Sequence, residues 1–353
     1  MSQLRPAAFA IPGDITSLSG GYIYERRLLE ELRAQGRDML HLELPPGFPD
    51  PTPAEMAEAL AALRALPPER VLILDGLVFG AIDTAGLAGV AAPVVAMIHH
   101  PLALETGLDP ARRVHLFRTE RDNLGLARHV LVPSPHTRSI LTSGYGVAPG
   151  RISVARPGVA RPALAPAPAT PPLILAVGIQ HPRKGHDILI DALARIADLD
   201  WRAVIAGSPW DAGHSAELAA RAEATGLGPR LKLAGRVPGA ELQALYAAAS
   251  VFALATRYEG YGLVFDEALS YGLPIVSCAT GAVPETVPEG AGLLVPPEDP
   301  EAFAGALRSL LEDPDRRAAL ARHAAAAGAH LPGWTGTAAV AGTVLDGLDR
   351  NRT

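Results

Sequence analysis

The sequence predicts an α/β protein built from two doubly wound parallel sheets, and three observations carry that expectation. Short apolar runs recur with helical stretches between them, the alternation expected of parallel strands joined by crossover helices. A chain of 353 residues with 48% hydrophobic content can fill two cores. Between the two sets of runs lies ARPALAPAPATPP, residues 160–172, which is rich in proline and alanine, has no amphipathic period and reads as a semi-rigid linker.

In the first half the runs are AAFAI (7–11), DMLHLEL (38–44), VLILD (71–75), VVAMI (94–98), HVLVP (129–133) and ISVA (152–155). In the second they are LILAVG (173–178), RAVIAG (202–207), LKLAG (231–235), VFALAT (251–256), PIVSCAT (274–280) and GLLV (292–295). The expected organisation is a Rossmann-like domain over residues 1–159, the linker, a second such domain over 173–330, and a terminal segment over 331–353. In that segment WTGTAAVAGTVLDGL (334–348) reads as a helix in need of a surface to cover. Ligands of open α/β sheets bind beyond the carboxyl ends of the strands, so two such domains place the expected ligand between them.

A net charge of −6 argues against a nucleic-acid partner, which needs a basic stripe to neutralise phosphates. The single cysteine, Cys278, permits no intramolecular disulfide and no cysteine metal cluster, and reads as a small buried strand residue. No HxH, HExxH or clustered Asp/His pattern points to a bound metal. The apolar run near the amino terminus is broken by Pro6 and Pro12 and is too short for a signal peptide or membrane span, so the expectation is a soluble, cytoplasmic protein. The arginine-rich helix over 109–129 reads as a solvated face, with a cationic acceptor-side or membrane-contacting surface as the alternative.

Four stretches carry candidate chemistry. Gly20-Gly21 follows the first strand and precedes an amphipathic helix; glycines there let backbone amides approach a phosphate, and a plain turn explains them equally well. VGIQHPRKGHDILIDAL (177–193) sets Arg183 and Lys184 in a turn at the carboxyl edge of a strand, where two cations can neutralise a diphosphate. Lys184 is one of only two lysines, with Lys232, among 31 basic residues; the bland alternative is a solvated basic turn. RYEGYGLVFDEAL (257–269) places the amides of Gly260, Tyr261, Gly262 and Leu263 at a helix start, Glu267 about one turn inside the helix and Glu259 in the loop before it. Glu267 suits a pair of vicinal hydroxyls and Glu259 the reacting end; the bland readings are a helix-start acid and a loop charge. His99 and His100, in VVAMIHHPLALETG, sit at a strand end where histidine can serve as acid, base or hydrogen-bond donor, or be structural.

Together these segments resemble the retaining nucleotide-sugar glycosyltransferases of family 4, which have the GT-B fold. The most specific element is Glu259 to Glu267, which matches that family's two glutamates separated by seven residues. Gly20-Gly21, IHHP, PRKG, LKLAGRV and CATGAVPETVPEGAGLLVPPEDPEAFAGAL follow in the expected order. The resemblance implies two Rossmann-like domains facing across a cleft, with acceptor on the first, nucleotide sugar on the second and the C-terminal helix crossing back to the first. It implies that Glu267 binds the ribose hydroxyls, Glu259 lies by the transferred sugar, and the amides of Gly260 to Leu263 hold the diphosphate. Arg183 and Lys184 then neutralise the leaving nucleoside diphosphate, Val237 sits against the base, and Gly20-Gly21 closes over the phosphates. His99 matches the family's active-site histidine better than His100. One departure stands out: many members carry an arginine directly after the glycine of the VG strand, and here that position is Ile179.

The implied reaction is transfer of a hexose from a nucleoside diphosphate sugar to an acceptor hydroxyl, on a saccharide, a lipid-linked glycan or a small molecule, with retention and without a metal or tightly bound cofactor. Peripheral contact with the inner membrane face is compatible with such an acceptor. Three alternatives are a GT-B epimerase or phosphorylase, a non-catalytic sugar-nucleotide-binding protein, and an oxidoreductase, the last weakened by the lack of a GxGxxG after any strand.

Overall fold

A computed structural model describes residues 4–348, and among these twelve strands pair in parallel into two six-stranded sheets. The first contains β1 (Ala7–Pro12), β2 (Met39–Leu44), β3 (Val71–Asp75), β4 (Val94–Met97), β5 (His129–Val132) and β6 (Ile152–Val154), in the order β2-β1-β3-β4-β5-β6. The second contains β7 (Leu173–Val177), β8 (Arg202–Ala206), β9 (Leu231–Gly235), β10 (Ala249–Leu254), β11 (Ile275–Cys278) and β12 (Gly292–Val295), in the order β12-β11-β10-β7-β8-β9. Each of the twelve expected runs coincides with one strand. Helices cover both faces of a parallel sheet, so its central strands are apolar on both sides and stand out as continuous runs. All of β1, β3 and β4 is buried accordingly.

The chain divides into two compact units, one running to Gly158 and completed by residues from Pro332 on, the other spanning Val159–Leu331. In the first, Ala8 and Ala10 face a layer with Leu63, Phe79 and Leu102, while Phe9 and Ile11 face the opposite layer with Tyr24, Leu28 and Leu32. The terminal helix Trp334–Gly347 closes that second layer with Ala338, Ala341 and Leu345. Its small residues let it lie close on helix Gly20–Ala34, and Arg37, almost fully buried, donates to Asp346 at 2.8 Å. Thr337 adds a hydrogen bond to the Arg156 carbonyl at 2.6 Å. The terminal helix therefore belongs to the first unit, although the second lies before it in the chain.

Residues 160–172 form no regular secondary structure, and the amides of Ala167 and Ala169 donate to the carbonyls of Ala247 and Ala248, which attaches this segment to the second unit. The strand order of each sheet reverses direction once, between β1 and β3 in the first unit and between β7 and β10 in the second. Loops leaving the two strands at such a point diverge and leave a crevice for a ligand.

Candidate functional site

In the second unit, two loops meet beyond the ends of β7 and β10. After β7, the His181 side chain accepts from the Arg183 amide at 3.1 Å and sets up the short turn Pro182–Lys184. Gly185 ends the turn with φ of 61°, and a Cβ there would lie 1.9 Å from the Ala255 carbonyl oxygen, so no larger residue fits. That close approach pins the first loop to the second. The Arg257 amide donates to the Arg183 carbonyl at 2.8 Å, and the Thr256 hydroxyl, 3.0 Å from the same oxygen, shares its one hydrogen between that carbonyl and Glu259.

Glu259 sits at the junction, 4% exposed. Its carboxylate accepts from Lys184 Nζ at 2.6 Å and from the Thr256 hydroxyl at 3.1 Å, and lies 3.5 Å from Arg183 Nη1. Arg183 also donates to the Tyr258 carbonyl at 3.0 Å. Burial pushes the Glu259 carboxyl up, but Lys184 and Arg183 outweigh it and hold the group ionised below its ordinary value. Two cations thus face one carboxylate. Buried His186 lies beside them with Nε2 3.1 Å from the Gly178 carbonyl, and burial drops its pKa to about 4, so it stays neutral.

Gly281, from the turn after β11, packs on the Glu259 backbone: a Cβ there would fall 2.3 Å from the Glu259 carbonyl oxygen, and φ is 54°. The neighbouring Ala282 amide donates to that same oxygen at 2.8 Å. Beyond Glu259 the chain passes through Gly260 and Tyr261 to Gly262, the N-cap of helix Leu263–Ser270. Tyr261 is held by its hydroxyl on Asp266 and by Thr286 on its carbonyl. Glu267 falls in the second turn of this helix, half-buried, and accepts from the buried Tyr246 hydroxyl at 2.7 Å. Burial raises the Glu267 pKa, and the Tyr246 bond opposes the rise. Val237 lies in the loop after β9, half-buried.

In the first unit the corresponding edge has another character. Helix Gly20–Ala34 starts at Gly20 itself, so Gly20-Gly21 forms its first turn rather than a loop ahead of it. Gly21 lies against the His99 ring, which a Cβ there would touch at an ordinary van der Waals distance of 3.5 Å. His99 lies two residues beyond β4, its Nε2 3.3 Å from Glu25 Oε1, with the Tyr24 ring edge-on at 5.1 Å. Asp75 closes β3 and accepts from the Leu77 amide at 2.9 Å. Polar atoms of Glu25, Asp75 and His99 all fall within 4.8 Å of one another. Burial pushes the Glu25 carboxyl up to about 7, and burial followed by the Glu25 charge raises Asp75 well above its usual range. Burial lowers the His99 pKa against the pull of Asp75. His100 points elsewhere, 3.2 Å from Glu105.

The geometry therefore gathers Arg183, Lys184 and Glu259 in one group and Gly21 with His99 in another, while Glu267 pairs with Tyr246. Sequence reasoning missed Glu25, Asp75, Tyr246 and Thr256. Glu25 had a readable signal: it sits on the apolar stripe Tyr24, Leu28, Leu29, Leu32, where a carboxylate is out of place. Asp75 likewise ends the buried run VLILD. Cys278 is buried on β11, where burial pushes its thiol up to about 12.

Comparison with known proteins bears on both units. A family model described as Glycosyltransferase Family 4 matches residues 23–161, and one described as Glycosyl transferases group 1 matches residues 163–327. Together they take in most of the chain, which belongs to glycosyltransferase family 4 and has the two-domain GT-B fold. A D-inositol 3-phosphate glycosyltransferase from Kineococcus radiotolerans is 33% identical over 65% of this chain and 59% of its own length. Its counterpart from Corynebacterium glutamicum is 32% identical over 55% and 51%. The matches therefore span only about half to three fifths of these relatives. Among solved structures, sucrose-phosphate synthase from Thermosynechococcus elongatus superposes with a TM-score of 0.82 at 23% identity, covering 96% of this chain and 98% of that one. Anabaena HepE, solved with UDP and glucose, superposes with a TM-score of 0.77 at 18% identity, covering 98% and 100%. Among the described residues no helix is long and apolar enough to cross a membrane.

Proposed function

We propose that the protein transfers a hexose from a nucleoside diphosphate sugar to an acceptor hydroxyl with retention of anomeric configuration. The observation that carries the reading is the Glu259 junction, where Lys184 and Arg183 share one carboxylate. That excess of positive charge sits where the strand order of the second sheet reverses, the place such folds keep for phosphates. As the bond between sugar and phosphate breaks, negative charge grows on the diphosphate while positive charge grows on the sugar. Preorganised cations lower the barrier most when they meet charge that appears only in the transition state. Lys184 and Arg183 take that part, and Glu259 holds them in place beside the sugar. The helix start around Gly260 to Leu263 holds the diphosphate, Glu267 takes the ribose hydroxyls and Val237 lies against the base.

The acceptor belongs to the first unit, with His99 orienting a hydroxyl near Gly20-Gly21. The name carried by the relatives makes a cyclitol phosphate the first acceptor to try, before saccharides and lipid-linked glycans. A thermal-shift panel of UDP, GDP and ADP with their sugars tests the donor half. A ligand that binds the native state at a hundred times its Kd stabilises by roughly 3 kcal/mol, visible as a rise of several degrees. If none of the diphosphates shifts the transition, the transferase reading fails; if one shifts it and no acceptor is glycosylated, the protein is a sugar-nucleotide binder instead.

A further inference from the structure

The first unit holds a group that the donor chemistry does not use: two buried carboxyls and a partly exposed imidazole, gathered at the point where the first sheet reverses direction. Glu25 is 1% and Asp75 3% exposed, so neither can be solvated as an anion by bulk water. Burial raises Glu25, and burial followed by the nearby Glu25 charge raises Asp75 further from its ordinary range, with His99 and the Leu77 amide opposing. Two buried carboxyls with oxygens within 4.8 Å of each other are not both ionised at neutral pH, because burial and like charge together force one to keep its proton.

Asp75, the more strongly raised of the two, is the one that keeps it. Asp75 Oδ1 accepts from the Leu77 amide, which leaves Oδ2 to carry a hydrogen. Glu25 has a carboxylate oxygen within 4.8 Å of Asp75, close enough to share that hydrogen, and its Oε1 is the atom facing His99 Nε2 at 3.3 Å. Once Glu25 ionises, as pH rises through about 7, it can only accept, so Nε2 must carry the ring hydrogen, and Nδ1 is left with its lone pair. The Tyr24 ring, braced in turn by Trp334, fixes the plane of the imidazole, and Thr137 fixes the His99 carbonyl at 3.2 Å. Other titratable groups here do not compete. Tyr22 donates to the Pro12 carbonyl at 2.7 Å, and burial together with the two carboxyls pushes its phenol up to about 12; Asp14 is turned to Thr16, and His100 to Glu105.

We propose that Glu25 and Asp75 hold one proton between them, on Asp75, and that this pair fixes His99 as the Nε2–H tautomer, with Nδ1 free to accept a hydrogen bond from a hydroxyl group. Glu25 and Asp75 are then positioning residues. His99 keeps 24% of its side chain exposed, enough to meet a ligand while its orienting partners stay dry. A tautomer set this way suits a hydroxyl-rich acceptor, which would have to donate to the ring. That last step rests on the transfer reading above; the proton arrangement does not.

The test is NMR on the full ligand-free chain, with labelled Asp and Glu carboxyls and labelled histidine rings assigned through Asp75→Asn and Glu25→Gln. The expected spectra show one carboxyl of the pair still protonated at neutral pH and His99 protonated at Nε2. Glu25→Ala should lose the tautomer preference and reduce turnover roughly tenfold to a hundredfold, the scale for a misplaced reacting group. Glu25→Gln should lose the preference as well, because a still-protonated Asp75 donates to the amide oxygen and turns the NH2 towards Nε2. Full ionisation of both carboxyls below about pH 5, or an Nδ1–H tautomer, overturns the proposal. So does stoichiometric binding of Mn2+ or Zn2+ that Glu25→Gln abolishes, since a cation would then neutralise the pair. Should the variants fail to fold, the wild-type spectra still decide. If they match and no diphosphate stabilises the protein, the transfer reading falls while the proton arrangement stands.

Discussion

The two units share a fold and differ in the charge they gather where their strand order reverses. In the second, Lys184 and Arg183 flank Glu259, and the carboxylate is ionised because cations surround it. In the first, Glu25 and Asp75 face each other beside His99, and one carboxyl stays neutral because burial forbids a second charge. One edge thus sets two cations around a carboxylate and the other two carboxyls beside an imidazole, on nearly the same scaffold. The difference follows from what leaves each sheet: a basic turn after β7, and single acids at the end of β3 and on the first helix.

The comparison breaks most easily at Lys184. Lys184→Ala should lower turnover about tenfold to a thousandfold, the scale for one preorganised charge-stabilising contact, with acceptor KM little changed. Lys184→Arg should recover only part of the loss, since the forked guanidinium cannot reproduce an ammonium 2.6 Å from one oxygen. Unchanged transfer in a folded Lys184→Ala protein would remove the role assigned to the second unit.

A slightly smaller effect is expected from pH, and it should have opposite sign in the two units. The folded-state pKa of Glu259 is lowered, so its contribution to stability is present above its unfolded value and is lost as the solution is acidified through the folded one. Replacing it with glutamine should therefore cost stability at neutral pH and cost progressively less below about pH 4.5. Glu25 is raised from 4.5 to about 7, so the cost of ionising it appears as pH climbs through that window. Glu25→Gln should overtake the wild type in stability on the alkaline side, by up to roughly 3 kcal/mol for a fully buried group. Urea midpoints of both variants and the wild type across pH 4 to 8 check this; parallel curves would mean the two carboxyls titrate alike.

Next in size is Gly281→Ala, which places a methyl group against the Glu259 backbone at a positive φ. It should destabilise the second unit by about 1–3 kcal/mol and weaken diphosphate binding, while leaving the His99 spectrum of the first unit unchanged. A Gly281→Ala protein that binds diphosphate as tightly as the wild type would show that the position of Glu259 is not critical.

How much of this was legible in the sequence depends on the range of the interaction. Strands were legible because burial on both faces writes a continuous apolar run, and VLILD or VVAMI needs no partner to be recognised. Two doubly wound domains followed from their number and the linker between them, and the GT-B fold only from the resemblance carried by Glu259, Glu267 and the accompanying motifs. Contacts between distant residues were not legible: Lys184 and Glu259 lie 75 positions apart, and nothing in PRKG or RYEGYG says that the lysine closes on the glutamate rather than pointing to a ligand. The Glu25–His99 contact spans 74 positions and was missed outright. A reading that treated any acid within an apolar stripe as a question would have found Glu25.

The smallest expected effect concerns Tyr246, and it separates holding a donor from reacting with it. Tyr246 is buried, lies nearly parallel to Tyr271 at 5.4 Å between ring centroids, and donates to Glu267 Oε2 at 2.7 Å. Tyr246→Phe keeps the stacking and removes only the hydroxyl, which frees the Glu267 carboxylate to turn. A hydrogen bond to a charged group contributes about 1.5–3 kcal/mol when buried, and less where water can replace it. Because Glu267 is half-buried, roughly a twofold to tenfold loss of donor affinity is expected, seen in donor KM and in nucleoside diphosphate titrations, with kcat nearly constant. An equal fall in kcat and kcat/KM would place Glu267 at the reacting bond instead, and the division between Glu259 beside the sugar and Glu267 on the ribose would have to be reversed.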